Sequence, residues 1–459
     1  MALEQQPLNR RQFLRIGAAA TAAVPLTLAL ASCSQGGSSA SSAADKTAQN
    51  PFGLKDDSKI EAVLFNGGFG IQQTINAAKD VEKKFKGVKA KVSPTENPAQ
   101  ELQPRFAAGD PPDLINNSGA NAIPFSLILK SLSTFDDLME ADNYEGKKIS
   151  TTLYPGVKKQ GSFPGKFVVM PYVMYIYGLW YSDSLFKEND WSAPKTFDEA
   201  MDLGAKAKAK GKYLFVWGKE AATYYLTFAL DSAIKAGGLD VMHAVNNLKP
   251  KAWSQKPIQD VFKALERIVK AGYFLPGGAG MQFTAAQAKW SNDQAALLYP
   301  SGGWIENEMK KATKDGFDMV MAPEPTVGTD LAMPFTAMHA APNQNYIVPS
   351  TAKNPAGGKE ILRAMLSKDV ASDFSKASAA PTIVKDVVPD DAFGFSGLAS
   401  QLKALDTAGS DVFDYEFITL YGLNTDQLVI WNDFLSGSAS VSDLTTQLQK
   451  ISDDAAAAS

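Results

Sequence analysis

Cysteine occurs once in the 459 residues and histidine only twice. A single thiol, Cys33, excludes any disulfide within the chain and leaves no cysteine-based metal cluster. His243 and His339 stand 96 residues apart, a poor basis for a metal site, and a lone histidine is more often surface or structural. The motifs Gly-x-Ser-x-Gly, His-Glu-x-x-His, the phosphate-binding loop and the dinucleotide fingerprint Gly-x-Gly-x-x-Gly are all missing. Acidic residues abound, yet none falls in a recognisable catalytic pattern, so neither an enzyme nor a cofactor is expected. Beyond the first 32 residues no apolar run reaches membrane-spanning length, and no internal repeat is apparent. Basic charge is not concentrated either. The net charge is −4, and because three arginines and one glutamate precede Cys33, the remainder carries −6. That balance argues against a nucleic-acid surface.

What is present begins with a leader. In "NRRQFLRIGAAATAAVPLTLALASC", residues 9–33, Arg10 and Arg11 precede an uncharged stretch from Ile16 to Ser32. A charged start before a short apolar core is the pattern of an export signal. The order Arg-Arg-x-Phe-Leu with a weakly hydrophobic core resembles a twin-arginine signal, with an ordinary secretory signal as the alternative. The run ends Leu30-Ala31-Ser32-Cys33, which resembles a bacterial lipobox. That resemblance implies a lipid on Cys33, where two or three acyl chains at about 0.8 kcal/mol per buried methylene would hold the protein at a membrane. A buried structural cysteine is the alternative. "SQGGSSASSAADKTAQN" then lacks large apolar residues and reads as a flexible tether. The expectation is an export signal over 1–32, a lipidated cysteine and tether over 33–50, and a folded body from Pro51 on the outer face of the cytoplasmic membrane.

About 410 residues from Pro51 exceed what one hydrophobic core usually supports, so two domains are expected. "IEAVLFNGGFG" reads as a buried strand, Ile60 to Phe65, entering a Gly-rich turn, and a helix follows from Ile71 to Phe85. "GVKAKVSP" is a second strand. In "NPAQELQPRFAAGDPPDLINNSGAN" a helix opens near Pro98, Gly109 and a proline pair close it, and a short strand ends in Asn116-Asn117-Ser118. This alternation predicts an α/β domain with a largely parallel sheet, whose ligands sit beyond the carboxyl ends of the strands. Pro171 interrupts the apolar run in "GKFVVMPYVMYIYGLWYSDS", suggesting a strand that leaves one domain for another, and "NYIVPST" reads as a second crossing. The boundaries expected are 51–172 with 305–345 for the N-terminal lobe, and 173–304 with 346–459 for the C-terminal lobe.

"LQPRFAAGDPPDLINNSG" and "LLYPSGGWIENE" resemble the signature elements of extracellular solute-binding proteins of the maltodextrin-binding class, which serve ABC importers. With "NPFGLKDDSKIEAVLFNGGFG", the chain is most similar to the actinobacterial lipoproteins that bind N-acetylglucosamine or diacetylchitobiose. The resemblance runs from about Asn50 to the last helices, though beyond Ala379 it rests on helical character alone. It implies a two-lobed, periplasmic-binding-protein-like fold of type II, with hinge strands between lobes that close on a ligand. It also implies a monomer that passes its sugar to a membrane permease with a cytoplasmic ATPase. Malto- or xylo-oligosaccharides are the alternative ligands, since relatives change ligand through a few cleft side chains.

A pyranose offers an apolar C–H face and a polar rim, so aromatic rings with amide or carboxylate partners suit it. Trp304, after Gly302-Gly303 at a strand-to-helix turn, stands where the resemblance puts a stacking ring, with Asn307 one turn beyond and Glu306 read as solvated. Asn66 and Phe69 lie in the Gly-rich turn, and Asn116, Asn117 and Ser118 close a strand. Tyr172 and Tyr175 flank the first crossing on opposite strand faces, so only one of the two can line a cleft. Trp217 ends "YLFVW" and Tyr224 opens the next helix. No metal ligand is proposed. A secreted glycosidase would need two carboxylates about 5 to 9.5 Å apart, and no spacing here marks such a pair; a scaffold lipoprotein would need no cleft.

Overall fold

The computed structural model describes residues 44–154 and 156–458. The export signal, Cys33 and the first part of the tether lie outside the described residues. Two sheets organise the rest. The first has the order β11-β3-β1-β2, from β1 (Lys59–Phe65), β2 (Lys89–Thr95), β3 (Leu114–Asn116) and β11 (Tyr346–Ile347). β1 runs parallel to both β2 and β3, while β11 is antiparallel to β3. From Ala62 to Phe65 β1 is an unbroken apolar run because both its faces are covered there. Ile60, Ala62 and Leu64 meet the helices Gln72–Lys84 and Pro355–Met365; Val63 faces Leu102, Ile115 and Phe125.

The second sheet is built on β6 (Val173–Ser182), the longest strand described, and β8 (Ala296–Gly302), which pairs with it antiparallel. β7 (Tyr213–Phe215) is parallel to β8. β9 (Met319–Ala322) and β10 (Met338–Asn343) pair antiparallel with opposite halves of β6, and β12 (Val412–Phe413) extends β10. β4 (Ser162–Phe163) and β5 (Lys166–Phe167) form a small separate hairpin. Helices cover the second sheet. Lys256–Lys270 is typical: Ile258, Val261, Phe262, Leu265 and Ile268 recur at helical spacing and are buried, and Pro257 occupies its first turn. Among the described residues no helix is long and apolar enough to cross a membrane.

These pairings assign the lobes differently from the sequence expectation. Segment 305–345 supplies β9 and β10, whose partner is β6, so it belongs with the second sheet. From Tyr346 to Val387 the chain returns to the first lobe, where Tyr346, Val348, Ile361 and Phe374 enter its core. A third crossing follows, and the helix Ser396–Ala408 packs on β9. The crossings are stitched together: the Tyr172 amide donates to the Asn343 carbonyl at 2.7 Å, Met174 to Pro381 at 2.9 Å and Ile383 to Tyr172 at 3.0 Å. The body also begins before Pro51. The Asn50 side chain brackets Leu54 with bonds of 2.8 Å each way, and Arg363 donates to the Gln49 carbonyl at 3.1 Å. Residues 44–50 are thus held by the first lobe instead of running free as tether.

Candidate ligand-binding cleft

A cleft of about 880 Å³ lies between the sheets. From the first lobe it is walled by the turns that leave β1 and β3 at their carboxyl ends, as expected for a parallel sheet. From the second it is walled by the turn after β8, the start of the helix Tyr224–Gly237 and the N-terminal half of β6.

Trp304 is the hub. Its ring centroid stands 5.3 Å from Tyr175, 5.5 Å from Tyr177, 5.9 Å from Tyr224 and 6.4 Å from Phe69, with tilted or edge-on planes throughout. Rings from both lobes therefore form one aromatic corner. The preceding glycines make it possible. A Cβ on Gly302 would lie 2.0 Å from the Trp304 ring, so only glycine lets the indole fold back over its own strand. Across the cleft, a Cβ on Gly68 would come within 3.1 Å of Trp304 Cβ. Asn307 donates its amide to the Gly68 carbonyl, which fastens the two lobes together at this corner, while its buried Oδ1 has no partner among the described residues. Burial pushes the Tyr175, Tyr177 and Tyr224 phenols above their usual range, so all three stay neutral; the Glu308 charge adds to this at Tyr224.

Asn66, Phe69, Asn117, Ser118, Tyr175, Tyr224, Trp304 and Asn307 all line the cleft. Besides Asn307, Asn117 and Ser118 are engaged within the fold. The Asn117 amide is bonded both ways to the Ile123 backbone, at 2.7 and 2.8 Å, and Ser118 Oγ accepts from the Asn345 amide at 2.8 Å.

Three expected residues do not reach the cleft. Asn116 is fully buried in β3 opposite Tyr346, one position before the chain turns toward the cleft. Tyr172 is fully buried in the first-lobe core, where its hydroxyl donates to the Met365 carbonyl at 3.0 Å; strand alternation turns it away from Tyr175. Trp217 sits in the second-lobe core, edge-on to Phe274 at 5.6 Å, with its indole N–H on Asn432 Oδ1 at 3.3 Å. Glu306 is not solvated: its carboxylate accepts from the Gly397 and Leu398 amides at 3.1 and 3.0 Å and so caps the helix Ser396–Ala408.

The sequence reading missed others. Tyr177, which strand alternation puts on the same face as Tyr175, also lines the cleft although it was not among the expected ligand residues. Glu308 and the hinge triplet Asn343-Gln344-Asn345 also line it, as do Ile418, Thr419 and Asn424 from the C-terminal region. Behind Tyr177, His339 stacks on its ring at 4.3 Å and 17°. Its Nε2 lies 3.0 Å from Asp414 Oδ1 and its Nδ1 3.3 Å from Asp231 Oδ1.

Two lobes, hinge strands and an aromatic cleft with amide and carboxylate neighbours define a binding protein that encloses a small solute. Comparison with known proteins agrees: the pattern of bacterial extracellular solute-binding proteins matches residues 70–372, and the chain belongs to that family. It is 53% identical over 456 residues to the diacetylchitobiose binding protein NgcE of Streptomyces coelicolor, covering 99% of this chain and 97% of that one. A probable sugar-binding periplasmic protein of Mesorhizobium japonicum is 26% identical over 368 residues, 77% of this chain and 82% of the other. A chitin oligosaccharide binding protein shares the fold with a TM-score of 0.70 at 18% identity, over 87% of this chain and 99% of that chain. RafE in complex with raffinose does so at 0.66 and 19% identity, over 86% and 100%. The protein is thus an extracytoplasmic solute receptor of an ABC importer and not an enzyme.

Proposed function

We propose that the cleft captures N-acetylglucosamine or N,N′-diacetylchitobiose and delivers it to a permease driven by a cytoplasmic ATPase. The observation that carries this reading is the aromatic corner around Trp304, set against the Asn66, Asn307 and Glu308 side chains. Flat rings suit the apolar face of a pyranose, and the polar rim needs amides and carboxylates around it. The 53% identity to a diacetylchitobiose binding protein over nearly the whole chain supports this choice of sugar. A lipid on Cys33 would keep the receptor, as a monomer, beside its permease and raise its local concentration there. Closure follows because a sugar touching both lobes binds the closed state better than the open one.

The test is calorimetric titration of the protein lacking residues 1–33 with N-acetylglucosamine, diacetylchitobiose, maltose, xylobiose and glucose. Micromolar binding of the acetylated sugars alone, about −8 kcal/mol, is the expected result. Binding of maltose or xylobiose alone would keep the receptor and discard the sugar. Lipidation is checked by labelling the full chain with a fatty acid and asking whether Cys33→Ala abolishes the label.

A further inference from the structure

We propose that Glu308 is the carboxylate that anchors the ligand in the cleft, accepting a hydrogen bond from a hydroxyl or amide N–H of the sugar. The inference rests on the sugar-receptor reading above and adds to it a residue with a role.

Three carboxylates line the cleft: Glu96, Glu220 and Glu308. Glu96 is exposed. Glu220 stands 3.5 Å from the Lys219 ammonium and accepts from the Phe283 amide at 3.1 Å. Glu308 differs from both. It is half-buried, and among the described residues its carboxylate takes one bond, from Gln287 Nε2, which donates to Oε2 at 2.8 Å. Among the described residues no cation pairs with it. Lys310, two positions on, turns its ammonium to the Ala377 carbonyl at 3.2 Å. Burial accordingly raises the Glu308 pKa, and only the Gln287 bond opposes the rise.

A partly desolvated carboxylate is acceptor-only and has room for several donors. Left with one bond and no counter-charge, it costs the fold free energy. Such a group in a cleft marks a functional position. Its neighbourhood says what would complete it. The Glu308 charge bears on Tyr224, which stands beside Trp304, so a sugar packed on those rings brings its hydroxyls or amide N–H into that field. Gln287 is fully buried in the helix Phe283–Ser291 and holds the carboxylate from behind, which makes it a positioning residue.

The experiment is titration of the protein and of its Glu308→Gln and Glu308→Asp variants with N-acetylglucosamine and diacetylchitobiose, with the melting temperature of each measured alongside. Glu308→Gln keeps the shape and removes the charge, so Kd should rise about 10- to 100-fold while melting stays within a degree or two. Glu308→Asp keeps the charge but shortens its reach, and should also bind more weakly than the parent. Gln287→Met should raise Kd about 3- to 10-fold by freeing the carboxylate. If the parent binds and Glu308→Gln matches its Kd, the anchor role is overturned and Glu308 is only a partner for Gln287. If Glu308→Gln fails to fold, parent-like binding by Glu308→Asp overturns it instead. Silence of the parent toward both sugars refutes the sugar reading itself, a separate outcome.

Discussion

His339 offers a test that links the hinge region to the cleft floor. It is buried between Asp231 and Asp414, with Tyr177 stacked on one side and Tyr415 at 4.4 Å, whose hydroxyl donates to Asp231 at 3.1 Å. Burial alone would lower its pKa, and that is the largest single effect. The Asp231 charge, 3.3 Å from Nδ1, joined by the hydrogen bond and charge of Asp414, outweighs it and pushes the imidazole up to about 10. A histidine whose pKa is raised in the fold stabilises the fold below its unfolded pKa, and the stabilisation drains away as pH rises through the folded value. The window here runs from 6.5 to about 10. The difference corresponds to about 5 kcal/mol, at 1.36 kcal/mol for each factor of ten.

Replacing His339 with Asn removes the cation and leaves the fully buried Asp231 facing Asp414 uncompensated. Removing one partner of a buried ion pair costs about 3–5 kcal/mol. Scaled by chain length, the unfolding entropy of a protein this size makes that about 1 °C per kcal/mol, so melting should fall by about 3–5 °C at pH 7. By pH 10 the parent has lost most of this advantage, and the two curves should close to within about 1–2 °C. Calorimetry of both proteins from pH 6 to 10 reads the gap. Glu416 is pushed up to about 7 by burial and then by the Asp414 charge, but it titrates in both proteins and largely cancels from the difference. A gap that stays constant from pH 7 to 10, or is absent at pH 7, would refute the charged imidazole.

Other expectations are more local. Trp304→Ala should weaken sugar binding by about 30-fold or more, the effect of deleting an aromatic hot spot, as read by titration. The two tyrosines of the first crossing should separate cleanly. Tyr172→Phe loses one buried bond to Met365 and should cost about 1 kcal/mol of stability with Kd unchanged, whereas Tyr175→Ala should raise Kd about tenfold or more. Lys235→Met leaves Glu324 buried without its ammonium, 2.9 Å away in the parent, and should cost about 3–5 kcal/mol in denaturant melts while the cleft still binds sugar.

The elements of the first lobe were legible because their signals are local. The apolar run of β1, Pro98 at a helix start and the glycine at 109, with φ of +70°, each mark a boundary in the letters themselves. Lobe membership was not legible, because strand pairing is a matter of register between distant segments. Nothing in the letters of Met319–Ala322 or Met338–Asn343 says which sheet either strand joins. Only their pairing with Leu179–Ser182 and Val173–Ile176 puts both on β6. The same limit explains Tyr172 and Trp217. Alternation says that Tyr172 and Tyr175 point opposite ways, but not which face meets the cleft. The third crossing and the cleft residues beyond Ala379 carried no local mark at all.

Glu306 and Glu308 show how far a motif alone can go. In "GGWIENE" the two carboxylates look interchangeable, and both lie in the short helix Ile305–Met309. Two residues on a helix are about 200° apart, so they must serve opposite surroundings. Glu306 turns outward to the helix Ser396–Ala408, whose first amides are unpaired donors, and two of them meet its charge. Glu308 turns to the cleft and, among the described residues, meets only the Gln287 amide. Burial raises the pKa of both, but the backbone amides satisfy Glu306, whereas Glu308 keeps unused acceptor capacity. A carboxylate already capping a helix has little left to offer a sugar. The one left open to the cleft does, and the difference comes from a helix 90 residues further along the chain, which no window around the motif contains.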